Sequence, residues 1–153
     1  MMKRLSVCLL ACTAIGCGKG YDPENPTVED IPVLLEAAKE ALIAQFDLKS
    51  GVDGIDALRR WHTLEQAVEK IGKPAVPKLV EILSDKGKHR MSRNLAAQSL
   101  GKMGKVAAEA VPALIEASKE NDRLLSESAA QAVWKIDPDA AAKARLPRPR
   151  RSP

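Results

Sequence analysis

The chain has 153 residues, of which 45% are hydrophobic but only 3% aromatic, and a formal net charge of +4. That length suits one domain, and the composition calls for a core of Ala, Leu, Ile and Val. No alternating runs of Val, Thr, Tyr and Phe support strands, so the expected class is all-α. The charge is patterned: residues 17–58 and 106–142 are net acidic, while 73–105 and 143–153 are net basic. This sets the chain apart from uniformly basic nucleic-acid binders.

Residues 1–16 read as a signal peptide. Lys3 and Arg4 precede an uncharged apolar run from Leu5 to Ile15, too short at about 1.5 Å per residue to cross a roughly 30 Å hydrocarbon layer. The following Ala14-Ile15-Gly16-Cys17 resembles the lipobox of bacterial lipoproteins, and that resemblance implies lipidation at Cys17 and a membrane-anchored exported protein. Ala14 stands where that family usually has Leu, Val or Ile, so ordinary cleavage after Gly16, giving a soluble periplasmic protein, is the competing reading. All three cysteines (Cys8, Cys12 and Cys17) lie in the leader or at its boundary. A chain beginning at Cys17 has no internal disulfide, and packing alone must hold it together. Residues 17–30, polar and bearing Pro and Gly, read as a flexible tether.

Two phrases then alternate three times. The first is "IPVLLEA" (31–37), "VPKLVEI" (76–82) and "VPALIEA" (111–117); the second is "EQAVEKIG" (65–72), "AQSLGKMG" (97–104) and "AQAVWKID" (130–137). Gln66, Gln98 and Gln131 recur about every 33 residues, a period typical of helical repeats. Val76, Leu79, Val80 and Leu83 form one helical stripe; Ala96, Leu100 and Met103 form another, with Asn94, Gln98 and Lys102 on other faces. Pro32, Pro77 and Pro112 belong in first turns, where a missing N–H costs least. Gly72 and Gly104 belong at helix ends, where a left-handed residue is needed. The first unit is longer, predicting helices over 29–47 and 54–71, with Asp53 as N-cap of the second. Asp137-Pro138-Asp139 opens a short capping helix over 138–146, with Lys143 and Arg145 at its far end. Residues 147–153, "PRPRRSP", read as a disordered basic tail.

The paired phrases resemble HEAT repeats, particularly the short bacterial type similar to the phycobilin-lyase HEAT-like repeats. "RNLAAQSLGKMG" (93–104) and "VPALIEASKEND" (111–122) carry the likeness most clearly; it covers roughly 31–137, and with the capping helix the expected HEAT-like repeat domain spans 31–146. The third unit departs from the pattern, with Ser126 and Glu127 where the second has Arg93 and Asn94. The resemblance implies an α-solenoid of three HEAT-like helix pairs. It says little about activity, since the same repeats serve scaffolds and lyases.

Several side chains invite a functional role. Gln66, Gln98 and Gln131, each followed four residues later by Lys70, Lys102 and Lys135, would form a protein-binding ladder; Gln as a helix former and Lys as a dipole partner explain the same pattern without binding. Lys86, Lys88, His89, Arg90 and Arg93 crowd one inter-helix loop, either gripping an anion or simply solvated. Trp134 is either an exposed anchor or a residue covered by the 138–146 helix. His62 and His89 lie in different units without zinc-type partners, and "DLKSGVDG" (47–54) lacks oxygen ligands where a calcium loop needs them, so no metal or cofactor is expected. The reading is therefore an exported, lipid-anchored, non-enzymatic protein-binding scaffold at the cell envelope, with neither nucleic acid nor a small-molecule substrate. The alternatives are a soluble periplasmic binding module and, further off, a small HEAT-like lyase-type enzyme.

Overall fold

The computed structural model describes residues 22–44 and 54–149. They form an all-α structure, with no strand among the described residues. The chain divides into two compact units, Met1–Lys70 and Ile71–Pro153.

In the first unit, a 3-10 turn at Val28–Asp30 leads into helix α1, Ile31–Ala44. Asp30 Oδ2 accepts from both the Thr27 amide (2.8 Å) and the Thr27 hydroxyl (2.9 Å). The Asp30 amide in turn donates to the Thr27 carbonyl at 3.1 Å, an i→i+3 bond that gives this turn 3-10 geometry, so the α-helix begins at Ile31 and not at 29. Pro32 takes its second position, where no backbone donor is required. Ile31, Leu34, Leu35 and Ala38 are buried at i, i+3, i+4 and i+7. The predicted C-terminal extension to 47 and the Asp53 cap lie outside the described residues. Helix α2 spans Gly54–Ile71, as the sequence predicted, and buries Leu64, Ala67 and Val68. Gly72 ends it with φ of 65°.

The stretch expected to be a flexible tether carries structure from Asp22 onward. Asp22 Oδ1 accepts from the Glu24 amide at 2.9 Å and its Oδ2 from the Asn25 side chain at 3.2 Å. These donors, the Glu24 amide first, hold its carboxyl below the usual carboxylate range. Lys70 at the end of α2 then donates to the Pro23 carbonyl at 2.7 Å.

The second unit contains helices α3 (Ala75–Ser84), α4 (Arg90–Met103), α5 (Val111–Ala117), α6 (Arg123–Ile136) and α7 (Pro138–Lys143), with a 3-10 stretch at Gly104–Ala110. α3 packs on α4, α5 on α6, and α4 runs along α6. α3 buries Ala75, Val76, Leu79, Ile82 and Leu83, whereas Val80 is only half-buried, so the expected stripe is rotated toward Ile82. Gly104 stops α4 with φ of 57°. Asp122 Oδ1 caps α6 through the Leu125 amide (3.1 Å), and Asp137 Oδ1 caps α7 through Ala140 (2.9 Å). Arg145, with φ of 54°, ends α7 short of the predicted 146. There the Leu146 amide donates to the Ala141 carbonyl, a Schellman closure.

α4 differs from the amphipathic helix read from its sequence. Six successive residues, Ser92 through Ala97, are buried, which covers its whole circumference. Asn94, expected on an outer face, is only 3% exposed, and its Oδ1, like Ser99 Oγ, has no hydrogen-bond partner among the described residues. Small residues make this burial feasible. A Cβ built on Gly101 would sit 2.9 Å from both Cα and Cβ of Ala132 on α6. The two backbones therefore meet where neither can carry a larger group. Helix propensity alone would make Gly101→Ala stabilising by about 1 kcal/mol. The overlap should reverse that sign and cost about 1–3 kcal/mol, read as a lower urea midpoint at unchanged slope.

Candidate functional site

The Gln–Lys pairs singled out in the sequence fall on three different helices. Gln66 and Lys70 lie on α2 in the first unit, and both side chains are exposed but engaged. Gln66 Nε2 is 3.0 Å from His62 Nε2, and Lys70 holds the Pro23 carbonyl. Lys70 thus has a structural task that its spacing did not announce. In the second unit, Gln98 and Lys102 lie on α4, and Gln131 and Lys135 on α6. Gln98 is half-buried, while Lys102, Gln131 and Lys135 are exposed. Gly101 lies between Gln98 and Lys102 in sequence and Ala132 between Gln131 and Lys135, so the close α4–α6 approach falls within the same turns as both pairs. Amide and ammonium groups can donate to carboxylates or backbone carbonyls of an extended acidic surface.

The basic loop resolves differently. Lys86, Lys88, His89 and Arg90 are exposed, and His89 is occupied as the N-cap of α4, its Nδ1 accepting from the Met91 amide at 3.2 Å. Arg93 does not belong with them. It is 7% exposed, its Nε donates to the Leu83 carbonyl at 2.7 Å, and its two Nη groups grip Glu120 at 2.8 and 2.6 Å. The expectation of a fifth loop cation is therefore corrected: a guanidinium that reaches a carbonyl and a carboxylate at once is buried as a brace. Near this end, Arg90, Asn121, Asp122, Arg123, Leu124 and Glu127 line an open, shallow depression of mixed charge. Arg123 is already paired with Glu127 at 3.0 Å.

Trp134 is half-buried on α6. Two of its contacts come from just beyond the short helix expected to cover it: the indole N–H donates to the Pro147 carbonyl at 3.0 Å, and the Arg148 guanidinium lies 5.5 Å from the ring centroid. The first residues of the predicted basic tail are thus engaged, and 150–153 lie outside the described residues. So does Cys17. Among the described residues, no group of three or more His, Cys, Asp or Glu is placed to hold a metal ion. Nor is any helix among them long and apolar enough to cross a membrane.

Compared with known protein families, curated proteins and solved structures, the chain matches none of them.

The Arg93–Glu120 pair has a pH signature. Arg93's hydrogen bonds hold the Glu120 carboxyl below the usual glutamate range, and Glu120 in turn raises Arg93. A depressed carboxylate contributes stability that is present above its unfolded value, about 4.3, and is lost as pH falls through the lower folded value. Glu120→Gln should therefore flatten the acid limb of stability below about pH 4, measured by urea unfolding across pH 2.5–7 in a citrate–phosphate series. Arg93→Ala should cost about 3 kcal/mol at neutral pH, the low end for breaking a buried pair because Glu120 keeps some solvent.

Proposed function

We propose that this chain is an exported, lipid-anchored scaffold that binds another protein at the cell envelope through a HEAT-like α-solenoid of three helix pairs. One observation carries the repeat reading. The alternating phrases fall on successive helices: the first on α1, α3 and α5, the second on α2, α4 and α6. A sequence period that coincides with a helix-pair period is what a repeat architecture requires. The reading is non-enzymatic and takes no cofactor, nucleic acid or small-molecule substrate. Recognition would use Gln66, Gln98 and Gln131 with Lys70, Lys102 and Lys135.

Cys17 is assigned the lipid. Stable anchoring takes more than a single fatty chain, so a diacylglyceryl-type modification fits better than a single acyl group. Ala14 in the lipobox favours a second reading, cleavage after Gly16 and a soluble periplasmic binding module.

Intact mass and membrane fractionation of the natively expressed chain separate the two. The anchored form should begin at Cys17, carry added acyl mass and leave the membrane fraction on Cys17→Ser. An unmodified chain already in the soluble fraction rejects the anchor and leaves the module. Binding is tested apart from anchoring. Lys70→Glu, Lys102→Glu and Lys135→Glu together should abolish crosslinking to envelope proteins while helicity is retained, and unchanged crosslinking rejects the ladder.

A further inference from the structure

Trp134 occupies the position that holds Glu69 in the first repeat unit and Gly101 in the second. Three observations set it apart. Its indole N–H donates to the Pro147 carbonyl. Its ring faces the Arg148 guanidinium. And Arg145, left-handed at φ 54°, reverses the chain after α7 and directs it back to α6. The Schellman closure of α7 sets that conformation locally, and it fixes the direction in which Pro147 and Arg148 leave the helix.

We propose that the Trp134 face of α6 is a docking site for an extended proline–arginine segment, occupied in this chain by its own Pro147 and Arg148 as a displaceable strap. The chemistry matches part by part. The indole offers a π face to a planar cation and a single donor to a carbonyl. Proline at 147 fixes an extended backbone, lacks an N–H of its own and presents its carbonyl outward. One hydrogen bond and one cation–π contact are weak between separate molecules. Connection through the short α7 raises the local concentration of the segment to about the millimolar range, so self-docking is the resting state and a competitor of the same chemistry can displace it. Gln131 lies three residues before Trp134 on the same helical face, and Lys135 follows it. The strap therefore lies beside the last Gln–Lys pair, and its release would enlarge that surface. This last consequence rests on the proposed ladder; the docking itself does not.

The test uses the full chain with Trp61→Phe, so that Trp134 alone reports. Arg148→Glu should shift its emission to the red and increase acrylamide quenching, with far-UV helicity unchanged. A synthetic peptide of residues 146–153, added at millimolar concentration, should reverse both changes saturably, and the same peptide carrying Glu in place of Arg148 should not. Arg148→Gln, which removes the charge without reversing it, should give the same red shift and serves if the first variant loses helicity. Emission and quenching identical with and without either substitution would overturn the proposal, as would a peptide without effect on the released form. A red shift on dilution of the chain with Arg148 intact would mean that a second copy supplies the segment, and would overturn self-docking.

Discussion

Arg93 is the residue on which the second unit turns. Its guanidinium reaches the last turn of α3 through the Leu83 carbonyl and the turn after α5 through Glu120, from a position inside α4. Three segments distant in sequence are thereby fixed to one rigid plane. Burying a cation is costly unless it is paired and hydrogen-bonded, and a planar fork holding a carboxylate at two points and a carbonyl at a third does this in a fixed geometry that lysine lacks. The pair specifies register as much as it adds stability, because sliding one helix pair against the other would strand a charge. Ser126 stands on α6 where the recurring sequence phrase would place the counterpart of Arg93, and a hydroxyl cannot make this three-point contact.

The composition explains how α4 tolerates being enclosed. A chain with few aromatics fills its interior by bringing backbones together, and Ala96, Ala97, Ser99 and Gly101 allow this around one helix. The cost appears at Asn94 and Ser99, whose side-chain oxygens are buried without partners among the described residues. Each such group costs about 1–3 kcal/mol. The close approach of α4 and α6 offsets it through dispersion contacts that a looser packing would forfeit.

What the sequence revealed and what it hid divide along physical lines. Local rules were legible. The Gly72 and Gly104 stops, the Asp137 cap, the first-turn prolines and the 54–71 helix all depend on a few neighbouring residues and appear as expected. The all-α class followed from composition. Long-range partnership was not legible. Nothing in the spacing of Arg93 and Glu120 marks them as a pair, and a run of basic residues reads as a solvated loop until one is seen to turn inward. Asn94 misled for a related reason: an amphipathic pattern presumes one solvent face, and α4 has none over residues 92–97. Of the candidate site, the helical positions of the Gln–Lys pairs were read correctly. The Lys70–Pro23 contact and the partners of Trp134 depend on chain reversals that no local motif encodes.

That Lys70 contact also has a mechanical meaning. It joins Pro23 to a side chain 47 residues further along the chain, so the stretch before α1 is fastened to the end of α2 as well as to the helix it leads into. A pull on the chain at Pro23 would load both helices at once. The bond is exposed, and a single hydrogen bond of this kind contributes only about 1 kcal/mol. It would therefore part before either helix unwinds, releasing the stretch from Pro23 to Ile31 and leaving the buried faces of α1 and α2 intact.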